Sequence, residues 1–119
     1  MITPVQSSLS ALNAFRKSLD VTANNIANVK TDGFKKSRVT FSEEANGGVA
    51  AQVQQINSPG IPREVYEGDE LVEFESSNVD LDDALTEMIP TGSAYAANLK
   101  TVQTTENMLG ALMDNLGRA

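Results

Sequence analysis

The sequence has no cysteine, no histidine and no tryptophan among its 119 residues. The absence of cysteine excludes disulfides, thiolate nucleophiles and cysteine-ligated metal or iron–sulfur sites. The absence of histidine removes the commonest general base at neutral pH and the commonest metal ligand. Most familiar classes of enzyme are therefore excluded, and we expect no catalytic residue, no cofactor and no metal site.

Long apolar runs and basic side chains are also scarce. No stretch of 18 consecutive apolar residues occurs, so no membrane-spanning helix is predicted. The first residues have neither a basic segment nor a continuous apolar run, and we expect no cleaved Sec signal peptide. Nine Lys and Arg residues stand against 16 Asp and Glu residues, which gives a net charge of −7. Such a chain is poorly suited to binding a nucleic-acid backbone.

Residues 2–29 are predicted to form one helix. Their apolar side chains recur in alternating steps of three and four, the a/d pattern of a heptad repeat, with Arg16 as the interruption. Thr3 and Pro4 suit a helix start, and the turn residues after position 30 suit its end. The predicted helix–helix contacts of this stripe are Leu9, Leu12, Leu19 and Ile26.

Residues 79–117 predict a second helix, whose heptad stripe extends over five repeats. Asn78 is the predicted N-cap, followed by acidic side chains that favour a first helical turn. Pro90 lies inside the pattern and predicts a kink or break around residues 88–91, with a restarted helix beyond it. The predicted contacts of this stripe are Leu85, Tyr95, Leu99, Val102, Leu109 and Leu116.

The segment between the helices alternates apolar and polar residues in short runs, interrupted by glycine and proline. The predicted fold class is therefore α+β. Two long N- and C-terminal heptad helices pair as a coiled coil, with a small irregular β-hairpin region between them. The predicted division is residues 1–30, 31–77 and 78–119. Helices of roughly 40–55 Å cannot fit a compact globule, so we expect an elongated molecule.

Three asparagines in five residues mark the end of the first helix. Asparagine is a poor helix former because its amide competes for backbone hydrogen bonds. The simplest interpretation is that these residues end the helix and connect it to the following turn, rather than forming a ligand site. The residues predicted to shape this junction are Asn24, Asn25, Asn28, Thr31 and Gly33.

The segment from Leu19 to Phe34 resembles the N-terminal signature of the bacterial flagellar axial proteins, the rod, hook and hook-associated subunits. The shared pattern is an apolar helix, then Asn-Asn-Ile-Ala-Asn, then Thr-x-Gly-Phe. The runs Ser76–Leu81 and Thr105–Leu109 are similar to the C-terminal signature of the same family. The resemblance covers residues 5–40 and 74–117. Because the insert between the helices is short, the chain looks most like a proximal subunit of the basal-body rod.

This resemblance implies a structural role. Such subunits leave the cell through the flagellar type III export apparatus, without a cleaved signal peptide, and polymerise into the drive shaft that crosses the periplasm. Their terminal helices pack as coiled coils. The implied partners are copies of the chain, other rod subunits and the export apparatus, with no nucleic acid and no small-molecule substrate. The alternative is a soluble helical adaptor or export chaperone, which would bind a partner helix through the same stripes.

Charge is unevenly distributed along the chain. Residues 1–41 carry six basic and two acidic side chains, a net charge of +4, whereas residues 42–119 carry three basic and fourteen acidic ones, a net charge of −11. Ordinary solvated surfaces would explain this division. A sharper hypothesis is that the basic junction of one subunit complements an acidic surface of its neighbour.

Overall fold

The computed structural model describes residues 3–118. Two helices enclose four strands in chain order, as the predicted α+β class requires. The elements are α1 (Pro4–Ala27), β1 (Ser37–Glu43), β2 (Val49–Gln55), β3 (Pro62–Glu67), β4 (Glu70–Glu75) and α2 (Leu81–Gly117). The described chain measures 86 × 27 × 19 Å and has a radius of gyration of 21.5 Å. The expectation of an elongated molecule is therefore confirmed.

Helix α1 begins with a capping box. The Thr3 hydroxyl accepts a hydrogen bond from the Gln6 amide at 3.2 Å, and the Gln6 side chain accepts one from the Thr3 amide at 3.1 Å. Pro4 occupies the first turn, where a missing N–H group costs nothing. The helix ends at Ala27, inside the predicted boundary at residue 29, because Asn28 serves as its C-cap.

Helix α2 is capped by Asp80, so the prediction of Asn78 as the N-cap is wrong. The Asp80 carboxylate accepts hydrogen bonds from the amides of Asp82 and Asp83 at 3.1 and 3.4 Å. These two acidic residues also place negative charge in the first turn, where the helix dipole favours it. The Asn78 side chain is unavailable for capping because it is bonded to the strands.

Helix α2 continues through Pro90 without interruption, so a break between residues 88 and 91 is wrong, whereas the alternative of a kink there stays a prediction. A proline inside a helix removes one backbone hydrogen bond and costs about 3 kcal/mol. Packing of the flanking turns offsets that cost, since Met88 and Thr91 are half-buried on either side of the exposed proline. Tertiary contact therefore overrides the local signal.

The four strands form two separate antiparallel hairpins. In the β1–β2 hairpin, Ser37 lies opposite Gln55 and Glu43 opposite Val49. In the β3–β4 hairpin, Pro62 lies opposite Glu75 and Glu67 opposite Glu70. Gly47 and Gly68 supply the positive φ values of the two turns, 87° and 72°.

The two helices pack against each other. The start of α2 lies beside the end of α1, where Asn25 and Ala84 line one crevice, and half-buried positions continue along α2 to Thr105, so the helices run antiparallel. The β1–β2 hairpin lies on α1, where the rings of Phe15 and Phe41 meet edge to face with their centroids 5.4 Å apart. Within residues 3–118, the β3–β4 hairpin packs on neither helix and on neither strand of the other hairpin. It projects from the junction.

The buried interior is a thin seam of small and polar side chains. Its apolar members are Ala14 and Ala84, and its polar members are Ser18, Thr22 and Asn25. No large side chain in the described part of the chain is fully buried. None of the helices over residues 3–118 is long and apolar enough to cross a membrane. Much of the apolar surface of this chain therefore remains uncovered.

Candidate functional site

Asn25 joins the end of α1 to the first strand. Its side-chain amide donates to the Ser37 carbonyl at 2.8 Å, and its side-chain oxygen accepts from the Ser37 amide at 3.0 Å. The side chain thus satisfies both backbone groups of one strand residue, as a neighbouring strand would. Because Asn25 is buried, these groups would have no water to replace it.

A second α1 side chain repeats this arrangement on β2. The Ser10 hydroxyl donates to the Val49 carbonyl at 2.9 Å and accepts from the Val49 amide at 2.7 Å. Between these two points, the Lys17 ammonium donates to the Ala51 carbonyl at 3.2 Å. Three side chains spaced seven and eight residues apart on α1 therefore hold the backbone of the β1–β2 hairpin against the helix.

The remaining predicted junction residues form the connection out of α1. The Asn28 side chain donates to the Asn24 carbonyl at 2.9 Å and accepts from the Thr31 hydroxyl at 3.1 Å. Gly33 has a φ of 72°, which favours glycine, and its amide donates to the Glu75 carbonyl at 2.7 Å. Of the five predicted junction residues, Asn25 faces the strand, Asn24 lies in the last turn of α1, and Asn28, Thr31 and Gly33 form the turn that follows.

Asn78 is the junction residue whose function the sequence analysis missed. Its side-chain oxygen accepts from the Lys36 amide at 2.6 Å, and its side-chain amide donates to the carbonyls of Ile56 and Ser58 at 2.8 and 2.9 Å. Its own backbone amide donates to Phe34. It therefore ties the start of β1, the end of β2 and the start of α2 together. The only sequence signal was an asparagine before a helix, which a simple cap explains equally well.

The base of the β3–β4 hairpin is closed by Glu75. Its carboxylate forms an ion pair with the Lys35 ammonium and accepts a hydrogen bond from the Gly60 amide at 2.6 Å. The hydrogen bond from Lys35, followed by that from Gly60, lowers the pKa of Glu75 below its ordinary value. A second ion pair, between Arg63 and Asp32 at 2.8 Å, closes the other side of the base.

The predicted contact stripe of α1 is not the buried face of that helix. The buried line passes through Ala14, Ser18, Thr22 and Asn25. Leu12, Leu19 and Ile26 are half-buried beside this line, whereas Leu9 is 46% exposed. Within this chain, the helix thus covers a seam of small residues and leaves part of its apolar stripe open.

The covered stripe of α2 is rotated relative to the predicted one. Its buried and half-buried members recur in steps of four and three: Ala84, Met88, Thr91, Tyr95, Asn98, Val102 and Thr105. Tyr95 and Val102 lie in this covered stripe, whereas Leu85 and Leu99 lie one residue outside it and are 46% and 40% exposed. Small and polar residues occupy the alternate positions because the two helices approach closely.

The spacing of the covered stripe continues into the last turns of α2, but α1 does not cover it there. The next positions in the same spacing are Leu109, Leu112 and Leu116, which are 53%, 55% and 68% exposed. Every residue from 106 to 118 is exposed. Helix α2 has 37 residues against 24 in α1, so its end extends beyond the shorter helix. An apolar surface of helical spacing is therefore left uncovered.

The described residues contain no group of three or more acidic, cysteine or histidine side chains arranged to hold a metal ion. The acidic run at the start of α2 instead caps that helix through Asp80. The site therefore consists of side chains that hydrogen-bond to strand backbone and of apolar helix surface that the chain leaves uncovered.

Two protein-family models match the two parts of the chain that form and flank the helices. Residues 6–35 match "Flagella basal body rod protein", and residues 73–115 match "Flagellar basal body rod FlgEFG protein C-terminal". These regions include Asn25 and Asn78, whose side chains hold the backbone of the β1–β2 hairpin, and Asn28, which closes the turn after α1. The chain belongs to the flagellar basal-body rod protein family.

A rod protein and a hook protein are similar to part of this chain. It is 51% identical over 55 residues to the flagellar basal-body rod protein FlgG of Bacillus subtilis, which covers 43% of this chain and 21% of that protein. It is 35% identical over 60 residues to the flagellar hook protein FlgE of Borreliella burgdorferi, which covers 50% of this chain and 14% of that protein. The match spans about a fifth or less of either relative.

Proposed function

We propose that the chain is a structural subunit of the bacterial flagellar basal-body rod. Both helical segments match rod-family models. The observation that carries the proposal is the uncovered end of α2, where Leu109, Leu112 and Leu116 prolong the stripe that α1 covers. A subunit that must assemble leaves such a surface open, whereas a self-sufficient domain would cover it.

In the assembled rod, we propose that the helices pair with neighbouring subunits as coiled coils. The residues left at least partly open for these contacts are Leu9, Leu12, Leu19, Ile26, Leu85, Leu99, Leu109 and Leu116. Tyr95 and Val102 contribute on the side already turned toward α1. The thin internal seam supports this proposal, since partners would bury the apolar area that the single chain cannot.

The finer assignment is a proximal position in the rod, reached through the flagellar type III export apparatus. The short connection between Ala27 and Leu81 supports a proximal subunit, because it holds two small hairpins and no further domain. The lack of cysteine and of large buried side chains suits a chain that passes unfolded through a narrow channel and gains order on assembly. The implied location is the basal body, in the part of the rod that crosses the periplasm.

The test is a pair of aspartate substitutions on the same helix. Leu109→Asp places a charge on the uncovered stripe, whereas Ala111→Asp places the same charge on the opposite, exposed face. In a strain whose own copy is replaced, Leu109→Asp should abolish swimming and arrest basal bodies before the hook, as seen by electron microscopy. Ala111→Asp should swim normally. Normal motility with Leu109→Asp would contradict the assignment.

Solution measurements separate this proposal from the adaptor or chaperone alternative. A rod subunit should gain helix as its concentration rises, because ordering accompanies association. An adaptor should form a discrete helical dimer whose circular dichroism does not depend on concentration. Sedimentation and circular dichroism over the same concentration series distinguish the two.

A further inference from the structure

The β3–β4 hairpin is charged in a way that opposes its own stability. Glu64 lies directly opposite Glu73, and Glu67 lies directly opposite Glu70. Like charges at directly opposed positions destabilise a strand pair, and an isolated two-stranded hairpin is marginal in water. Within residues 3–118, none of these four carboxylates forms an ion pair. The arrangement favours contact with positive charge from outside the hairpin.

One face of the hairpin also carries exposed apolar side chains. Tyr66 lies opposite Leu71 and shares its face with Glu64 and Glu73, because paired residues alternate between the two faces. Tyr66 is 74% exposed and Leu71 is 48% exposed. Tyrosine is enriched at the centres of protein contacts, whose rims are polar. We call these four residues the hairpin face.

The chain itself carries positive charge that the fold does not neutralise. Among the basic residues of the first third, Lys35 is paired with Glu75, and Lys36 and Arg38 line a crevice together with carboxylates of α2. Lys17 donates a hydrogen bond to the Ala51 carbonyl, which leaves Arg16 and Lys30, both exposed and without an ion pair in the described residues. They are the cations of this chain best placed to meet an external acidic surface.

We infer that the hairpin face docks on a second copy of this chain, with Glu64 and Glu73 against the Arg16 side chain of that copy. The charge division supports a second copy as the occupant: the hairpin is strongly acidic, the first 41 residues carry +4, and one chain supplies both. The inference rests on the proposed function only in that assembly brings copies of the chain together. It concerns a contact of the hairpins, apart from the helix stripes.

The first experiment compares reversals of charge. The double variant Glu64→Lys, Glu73→Lys keeps two like charges opposed in the hairpin, so their repulsion is unchanged. The charge of the hairpin face, however, changes from negative to positive. The matched control is Glu43→Lys with Glu44→Lys, which changes the net charge by the same amount on the other hairpin. Sedimentation equilibrium should show self-association of the full chain weakened at least tenfold by the first pair, and far less by the control.

A mixing experiment identifies the partner surface. Arg16→Glu should also lose self-association, and a mixture of this variant with the Glu64→Lys, Glu73→Lys variant should associate again. Three results would each overturn the inference. The Glu64→Lys, Glu73→Lys variant could associate as strongly as the unmodified chain, the unmodified chain could fail to associate at low salt, or the mixture of the two variants could stay monomeric. The Leu109→Asp motility test decides the proposed function separately, so either can fail without the other.

A neutral variant separates docking from hairpin stability. Glu64→Gln with Glu73→Gln removes the repulsion, so backbone hydrogen exchange in β3 and β4 should slow. Self-association should nevertheless weaken, because the attraction to the cation is lost. Slower exchange with unchanged association would show that the glutamates are only a solvated surface, and would overturn the inference.

Discussion

The two hairpins have the same simple architecture but opposite relations to the rest of the molecule. The β1–β2 hairpin is held on α1 by side chains that satisfy its backbone, notably Ser10 and Asn25. Within residues 3–118, the β3–β4 hairpin is held only at its base, by the Glu75 and Arg63 ion pairs and a few backbone hydrogen bonds. The difference teaches that a two-stranded hairpin becomes part of the fold when a helix covers it, and otherwise remains a projecting surface.

The largest expected effect is at Gly60, at the base of the projecting hairpin. A Cβ atom built there would lie 1.9 Å from the Ser76 carbonyl oxygen, so Gly60→Ala must displace the backbone. We expect the β3–β4 hairpin to open more easily by about 3 kcal/mol, while β1–β2 stays protected. Hydrogen exchange resolved to single amides checks this. Gly110→Ala is the control, because it meets nothing within 4 Å and should stabilise α2 slightly. Equal protection of β3–β4 in both variants would refute the expectation.

The next largest effect is expected where the Asn25 side chain holds the β1–β2 hairpin on α1. Asn25→Ala leaves the Ser37 amide and carbonyl without their partners at a buried position, which should lower the free energy of unfolding by about 2 kcal/mol. Urea unfolding followed by circular dichroism measures it. Asn13→Ala, on the exposed side of the same helix, should change stability by less than about 0.5 kcal/mol. Similar losses in both variants would mean that the clamp contributes little.

A smaller effect should have the opposite sign. Glu67→Thr removes one of two opposed glutamates near the tip of the β3–β4 hairpin and should stabilise that hairpin by about 0.5 kcal/mol. Glu43→Thr is the matched change in β1–β2, where the opposite residue is the uncharged Val49, and should gain less. Slower hydrogen exchange in β3–β4 for the first variant alone is the expected result.

The smallest effect is a pH dependence at the base of the projecting hairpin. Because the pKa of Glu75 is lower in the folded chain than in the unfolded chain, its contacts contribute stability above the ordinary carboxyl pKa and lose it as the pH falls through the lowered value. Exchange-corrected protection of the Gly60 amide should therefore decrease in acid. Glu75→Gln should remove this pH dependence, and its persistence in that variant would assign it to another carboxyl group.

The sequence predicted the elements of this fold better than their contacts. The heptad spacing located both helices to within two residues of their observed ends in the described chain, and the glycine turns located both hairpins. The spacing did not reveal which residues the helices bury. On α2, the stripe of largest apolar residues passes through Leu85 and Leu99, whereas the covered stripe passes through Ala84 and Asn98. Periodicity identifies a face, but close approach of two helices selects small residues on it.

The junction shows the same limit more strongly. Three asparagines near a helix end signalled the junction, but the sequence could not distinguish Asn25, which bonds to a strand, from Asn28, which closes a turn. The local pattern predicts Asn78 as a helix cap because capping depends on neighbouring residues, whereas the partners of its side chain are 20 to 42 residues away. Backbone groups that a side chain satisfies across the fold leave no trace in local composition.

By itself, the sequence determined the order of elements, the elongated shape, the uneven charge and the resemblance to rod subunits, because these depend on spacing and composition along the chain. Only the tertiary structure decided that α2 passes unbroken through Pro90, that one hairpin is clamped while the other projects, and that the covered stripe ends while α2 goes on. Each of these depends on which distant backbone and side-chain groups satisfy one another. That pairing is settled by packing in three dimensions, and no local pattern encodes it.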